Sequence, residues 1–548
     1  MRYAPVALAP IAAPLALSLL AGACDKPNRP EPQRSDEALG RVDFPVSCNA
    51  PARTEFTRAL ALLHHMTYPR AREGFERAAA ADPRCAMAYW GVAMTQFQPL
   101  WPTRPGPDAL ERGWQAAEKA RTLEPPTALE RSFVAAVEAF FQEPASPDYW
   151  LRVRRWEHAA EQTYDSFPGN EEAAAFYALA LLADAPSSSA SQARAQQASE
   201  ILLRIYRENP DHPGAMHYLI HADDAPGRER QVLDVAHRYD MVAPRNPHAL
   251  HMPTHIYTRL GDWDAVIKGN VAAAQAALET PAGDRGEFVW DEFPHAVEYL
   301  VYAYLQKGED DSAAAQMRRL HATPRLQPTF KTAFHLASTQ ARYALERQAW
   351  TEAAAIVPRT PAALEWDQFP WAEAIAWFAR GLGAAHLGRM GDAADAAGHL
   401  ARLEAAAGAS GEDLFARNIG MLRLELSGWI AHAGKRDATA LERLREAAEL
   451  EAATPKHAVT PAPTLPALEL LGDLQMERKH PAEALAAYRS ALELYPRRLN
   501  ALAGAARAAR AAGDDSLAHA LYRQLLDLAR GGTRPALGEA RVLLGERP

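Results

Sequence analysis

Past residue 24 the sequence has no apolar run near the roughly 18 residues that a spanning helix needs, so an integral multi-span protein is excluded. It has no basic run of five or more, and 59 Lys and Arg stand against 68 Asp and Glu for a net charge of −9. That balance lacks the electrostatic footprint of nonspecific nucleic-acid binding, and no nucleic-acid partner is expected. There is no P-loop, no dinucleotide glycine fingerprint and no G-x-S-x-G elbow, so a nucleotide enzyme or serine hydrolase has no support. Only three cysteines occur, at spacings that match no short metal-ligand motif. What is present is a folded, soluble composition, 48% hydrophobic and 23% charged, rich in Ala and Leu and broken by short Gly and Pro punctuation. Such a chain suits one long helical array.

The N-terminus reads as an address. Arg2 precedes an Ala/Leu run from Val6 to Leu20, interrupted by Pro10 and Pro14 and closed by Ala21-Gly22-Ala23-Cys24, the small-residue end of a secretory signal. It resembles a bacterial lipoprotein signal, with Ala21 standing where that family has Leu, Val or Ile; ordinary export is the alternative to lipidation. The resemblance implies removal of residues 1–23, acylation of Cys24, a periplasmic location, contact with the membrane through the lipid anchor only, and, from Asp25, retention at the inner membrane. Residues 24–45, rich in Pro and charge, read as anchor and flexible tether. Export leaves Cys48 and Cys85 as a candidate disulfide in an oxidising compartment, the alternative being two unrelated buried thiols.

Repeat signals stand at both ends. Leu468, Leu471, Gly472, Ala484, Tyr488, Ala491 and Pro496 follow the tetratricopeptide pattern, and Ala518 and Tyr522 recur 34 residues after Ala484 and Tyr488. Ala71, Phe75, Ala78 and Pro83 repeat the second-helix part of it. The chain resembles a tetratricopeptide-repeat (TPR) protein. That resemblance implies an all-α, right-handed solenoid of antiparallel helix pairs, in which each Ala lets two helices approach closely. We expect helical repeats over 46–210, His-rich repeats over 211–325, irregular repeats over 326–460, regular repeats over 461–530 and a C-terminal cap over 531–548, with an insertion at Thr280–Glu292.

The informative stretch lies between 212 and 308. Pro213, His217, His221 and Gly227 recur 34 residues later as Pro247, His251, His255 and Gly261, and Pro294 and Gly308 set the frame a third time. Each Pro suits a first helical turn and each Gly the turn that ends the helix. Counted from each Pro, places 2, 5 and 9 hold Gly214, His217, His221; then His248, His251, His255; then His295, Glu298, Tyr302. At about 100° per residue these places form one stripe per helix. In TPR arrays that stripe faces the concave groove, so the resemblance implies that these side chains converge there, with Asp223 and Asp224 supplying a second layer.

Three readings of that stripe stand side by side. Histidines one turn apart can grip a metal, and the pairs 217/221 and 251/255 from facing helices would complete a tetrahedron. In that reading His217, His221, His248, His251, His255, His295 and Glu298 form the ligand pool. Zinc or nickel would be satisfied by imidazoles alone, and Met216 and Met252 nearby suit copper. Alternatively the groove, with Tyr302 added, recognises a protein, an acidic peptide or a small ligand, or the histidines only bond one another and neighbouring helix ends. A metalloprotease reading fails, because His217-Tyr-Leu-Ile-His221 lacks the Glu base. Elsewhere, His64 and His65 read as a helix-end cap or groove contact, and Trp90, Trp101, Trp263 and Trp290 as core or loop contacts, the alternative being an aromatic groove anchor for one of them.

The segments HPGAMHYLIHADD and HALHMPTHIYTRLGDW, with SCNAP and DPRCAMAYWG earlier, resemble a family of bacterial TPR proteins of unassigned activity. The expectation is an exported binding scaffold, with no residue marked as catalytic; a zinc- or copper-dependent enzyme or metal-binding protein is the alternative.

Overall fold

The computed structural model describes residues 38–545 apart from 102, 147, 188–189 and 284. The expected signal over 1–23, Cys24 and the tether as far as 37 lie outside the described residues. From Ala50–His64 to Pro535–Leu543 the chain is a succession of helices. Adjacent helices pack as antiparallel pairs, and alternate helices also touch in much of the array, which gives a stacked, solenoid-like architecture. The array continues through Pro107–Thr122, Ala128–Phe141, Tyr149–Ser166 and Glu171–Asp184, where the sequence pattern is faintest. The described strands are a two-residue antiparallel ribbon, Pro281–Ala282 with Phe288–Val289, inside the expected insertion. Among the described residues no helix is long and apolar enough to cross a membrane.

Local chemistry explains the helix boundaries. Asn49 caps Ala50–His64 by accepting from the Ala52 N–H at 3.0 Å, and Thr127 and Glu130 close a capping box at Ala128–Phe141. Small residues then set the spacing between helices. A Cβ added to Gly472 or Gly504 would lie 2.6 or 2.4 Å from the Tyr488 ring, so both glycines are the space that this ring occupies. Cys48 and Cys85 are joined by a disulfide, which ties the start of Ala50–His64 to the start of Ala86–Met94.

Two expectations need correction. The part of the tether that is described is folded: Leu39 and Phe44 are buried, Phe44 lies 4.6 Å from Phe133 between ring centroids, and the Arg41 N–H donates to the Asp211 carbonyl at 2.8 Å. Its apolar residues outweigh its Pro and charge content. The concave side is also not an open groove. Arg104 grips Glu412 with two 2.8 Å bonds, Trp263 donates to the Arg497 carbonyl at 2.9 Å, and Arg534 meets Asp310 at 2.8 Å. The array thus closes on itself, and the Pro- and Thr-rich segment 455–466 lies inside it. The Arg342 guanidinium anchors that segment through the carbonyls of Pro463, at 2.7 Å, and Ala462.

Candidate metal centre

The stripe is brought together by Pro213–Asp223, by Pro247–His251 continuing after a break at Met252 into Pro253–Leu260, and by Glu292–Gln306. Each is fixed at its entry. His212 caps the first by accepting from the Ala215 N–H at 3.1 Å, and Asn246 caps the second by accepting from His248 and Ala249. His217, His248, His251, His255 and His295 are buried, and His221 is only partly so.

The histidines do not assemble as the tetrad 217/221/251/255. They form two trios, His217/His221/His248 and His251/His255/His295, and within each trio one ligand atom from every residue lies within 4.8 Å of the others. Each trio takes places 5 and 9 from one helix and place 2 from the next. Neighbouring helices are staggered along their axes, so a first-turn side chain meets the middle of the preceding helix. At place 2 of the first repeat, Gly214 leaves room for His64, whose Nδ1 an added Cβ would approach to 2.4 Å.

What decides the chemistry is where the protons sit. His217 Nδ1 lies 2.6 Å from the His64 carbonyl oxygen, which can only accept, so it carries the proton. His248 Nδ1 faces the Glu292 carboxylate at 3.1 Å, and His255 Nδ1 faces Asp224 at 2.8 Å. His251 Nδ1 faces Asn270 Oδ1 at 2.7 Å; the Asn270 amide nitrogen donates to the Val266 carbonyl, which fixes its orientation. His295 Nδ1 lies 3.0 Å from His335 Nε2, and His335 Nδ1 donates to Glu298, so this relay also places the His295 proton on Nδ1. Five imidazoles therefore carry an unprotonated Nε2, with the Tyr299 hydroxyl 3.4 Å from that of His255 and His221 Nε2 3.1 Å from that of His217. His217 and His248 point these atoms at each other across 2.9 Å, His251 and His255 across 3.0 Å, and the buried His295 Nε2 has no partner among the described residues. Acceptor facing acceptor is unfavourable unless a cation lies between, and imidazoles anchored through their second nitrogen are the usual form of metal ligands.

The electrostatics favour the neutral form of five of these rings and the charged form of the outer carboxylates. Burial, reinforced by neighbouring imidazoles, holds His217, His221, His251 and His295 well below the usual histidine range; burial and Lys456 bring His255 to about 4. Burial alone would push Asp224 and Glu292 up, but Lys456 and Arg259 beside Asp224, and Lys331 beside Glu292, outweigh it and hold both well below the carboxylate range.

Compared with known proteins, the chain matches no family model and no curated sequence. Its site must be read from its own geometry.

A third grouping, His64, Glu172 and His212, also meets the distance test for a metal. His212 Nδ1 accepts from the Ala215 N–H, which places its proton on Nε2, 3.3 Å from a Glu172 oxygen with which it makes no hydrogen bond. His64 Nε2 lies 2.7 Å from the other oxygen, and His64 Nδ1 lies 3.0 Å from the Tyr218 hydroxyl. Glu172 thus sits between two imidazoles as an internal brace, and a metal there would have to displace protons.

Other expected residues fall elsewhere. Glu298 binds His335, Ser338 at 2.5 Å and Arg342 at 3.0 Å, and so anchors the relay rather than offering a metal ligand. Tyr302 accepts from Arg498 at 2.8 Å and is held there instead of in the site. Asp223 bonds Ser199 and Arg228, while Asp224 alone of that pair reaches a trio. Met216 and Met252 are part of the apolar core, so they give no indication of copper. His65 bonds Tyr239 and the Leu39 carbonyl. Sequence reasoning missed His335, Asn270 and Glu292, which share no spacing with the stripe. Trp101 does enter the site, edge-on to His248 at 5.3 Å and to His295 at 5.7 Å.

Beside the trios lies a cavity of about 630 Å³. Of the six trio residues only His221 borders it, together with Trp101, Trp371, Phe415, Glu425 and His457. Glu425 is buried with one oxygen unpartnered among the described residues, and burial with Glu451 nearby pushes its carboxyl well above the ordinary range.

Proposed function

We propose that the protein is an exported, TPR-like scaffold whose function is to hold transition-metal ions in its two histidine trios, reachable from the cavity at His221. The observation that carries this reading is the convergence of five Nε2 lone pairs whose Nδ1 protons are pinned from behind. Three imidazoles with no thiolate suit zinc, copper or nickel and leave a position for a further ligand. Protein reconstituted with Zn(II) or Cu(II) and desalted is expected to retain about two ions per chain by elemental analysis, and His217→Ala/His251→Ala to retain none. A wild-type protein without stoichiometric metal would end the reading.

A second reading, recognition of a metal-free small ligand or peptide, is favoured by the cavity and its aromatic border. It predicts that the histidine variants keep their binding partner. Export with a lipid at Cys24 is supported by the leader sequence and is compatible with the disulfide. The TPR identity and right-handed winding rest on the 34-residue spacing; an experimental structure with left-handed winding would refute them.

A further inference from the structure

The two trios are not separate sites on a common scaffold. His221 and His255, from different trios, have ring centroids 5.6 Å apart, and His248 and His251 are 6.1 Å apart. Within the trios the widest separations are 6.5 Å, His221 to His248, and 6.2 Å, His255 to His295. The gap between trios is therefore no wider than the trios themselves, and the six rings make one cage. Ions bound about 2 Å from each Nε2 would share it, at the few-ångström spacing of two-metal sites.

Among the described residues no carboxylate or thiolate bridges the two halves of that cage. Asp224 and Glu292 lie behind the rings on their Nδ1 sides, and each is already offset by a buried cation, Lys456 at 2.7 Å from Asp224 and Lys331 against Glu292. Two dications held by neutral imidazoles alone, away from water, carry a charge that nothing nearby neutralises. An anion between them would relieve it. The way in is at His221, which is the one trio member on the cavity and the one whose Nδ1 has no hydrogen-bond partner among the described residues.

We propose that the trios constitute a single dinuclear centre, whose two ions share a small exogenous anion of one to three atoms that enters through the cavity past His221. The proposal rests on the metal reading above, and its test separates the two. Full-length protein is loaded with two equivalents of Cu(II), and electron paramagnetic resonance is recorded with and without azide. We expect two bound coppers whose signal integrates to well under half of the copper present, or shows a half-field transition. Azide should change the signal and add a charge-transfer absorption. Wild-type protein carrying one Cu(II) and one Zn(II) should give a full, isolated copper signal, which needs no variant to fold; His295→Ala should bind one copper with that same signal. Two coppers that integrate fully as isolated ions, or one copper per chain, would overturn the dinuclear centre while leaving the metal reading intact. A coupled pair indifferent to azide would overturn the shared entering ligand. No bound copper would remove the metal reading itself.

Discussion

The relay from Glu298 through His335 to His295 permits a change that touches only one trio. His335→Phe removes the acceptor that holds the His295 proton on Nδ1, 3.0 Å away, while Glu298 keeps Ser338 at 2.5 Å and Arg342 at 3.0 Å. The phenyl ring fills the imidazole's space, so the packing around His295 is conserved. His295 is then free to carry its proton on Nε2, the nitrogen turned toward His251 and His255, and in that tautomer it cannot bind an ion. Loss of such an outer partner costs about 10- to 100-fold in affinity, or about 1.4 to 2.7 kcal/mol. The first trio has its own anchors, the His64 carbonyl and Glu292, and should be spared. Titration of the apo protein with Zn(II) against a competing chelator would therefore show two steps in the wild type. In the variant only one of them should weaken. Two unchanged steps would refute the relay, and equal weakening of both together with a lower unfolding midpoint of the apo protein would show that the substitution acts through general damage to the fold.

The acid–base behaviour of the cavity wall, which Glu451 lines, gives a separate test. Glu451 is pushed up to about 7 by burial, against the ordinary 4.5. Its contribution to stability is present in full below 4.5 and is lost as the pH rises to 7, because the unfolded chain releases the proton first. Between pH 5.5 and 8 the wild type should lose about 2 kcal/mol that Glu451→Gln does not lose, measured by urea unfolding at the two pH values; parallel losses would contradict the assignment. At the N-terminus, Cys24→Ser should release the protein from the membrane fraction of its host, and unchanged membrane association would count against a lipid anchor.

The register of the site was legible in the sequence because it repeats. Pro213, Pro247 and Pro294 marked three helix starts, and the six histidines at places 2, 5 and 9 from them came to lie together inside the array, whereas Glu298 and Tyr302 are held by Arg342 and Arg498. The pairing of those residues was not legible. A stripe fixes which side chains share a face of one helix, but the stagger between helices decides which of them meet, and here it joins His248 to His217 and His221 instead of leaving four residues in a square. Glu298 read as a ligand from its place on the stripe, yet Arg342 and His335, on the helix Phe330–Leu345, claim both of its oxygens.

The sequence by itself determined the helical periodicity, the small residues that let helices approach, and the count of imidazoles on three successive first helices, since each depends on spacing along the chain. Only the tertiary structure decided that segment 455–466 lies inside the array, anchored by Arg342, and that Asn270, Glu292, Asp224, His335 and the His64 carbonyl pin the histidine protons. A tautomer is set by whatever atom lies 3 Å behind the ring, and that atom comes from another helix, at a distance along the chain that no local pattern encodes.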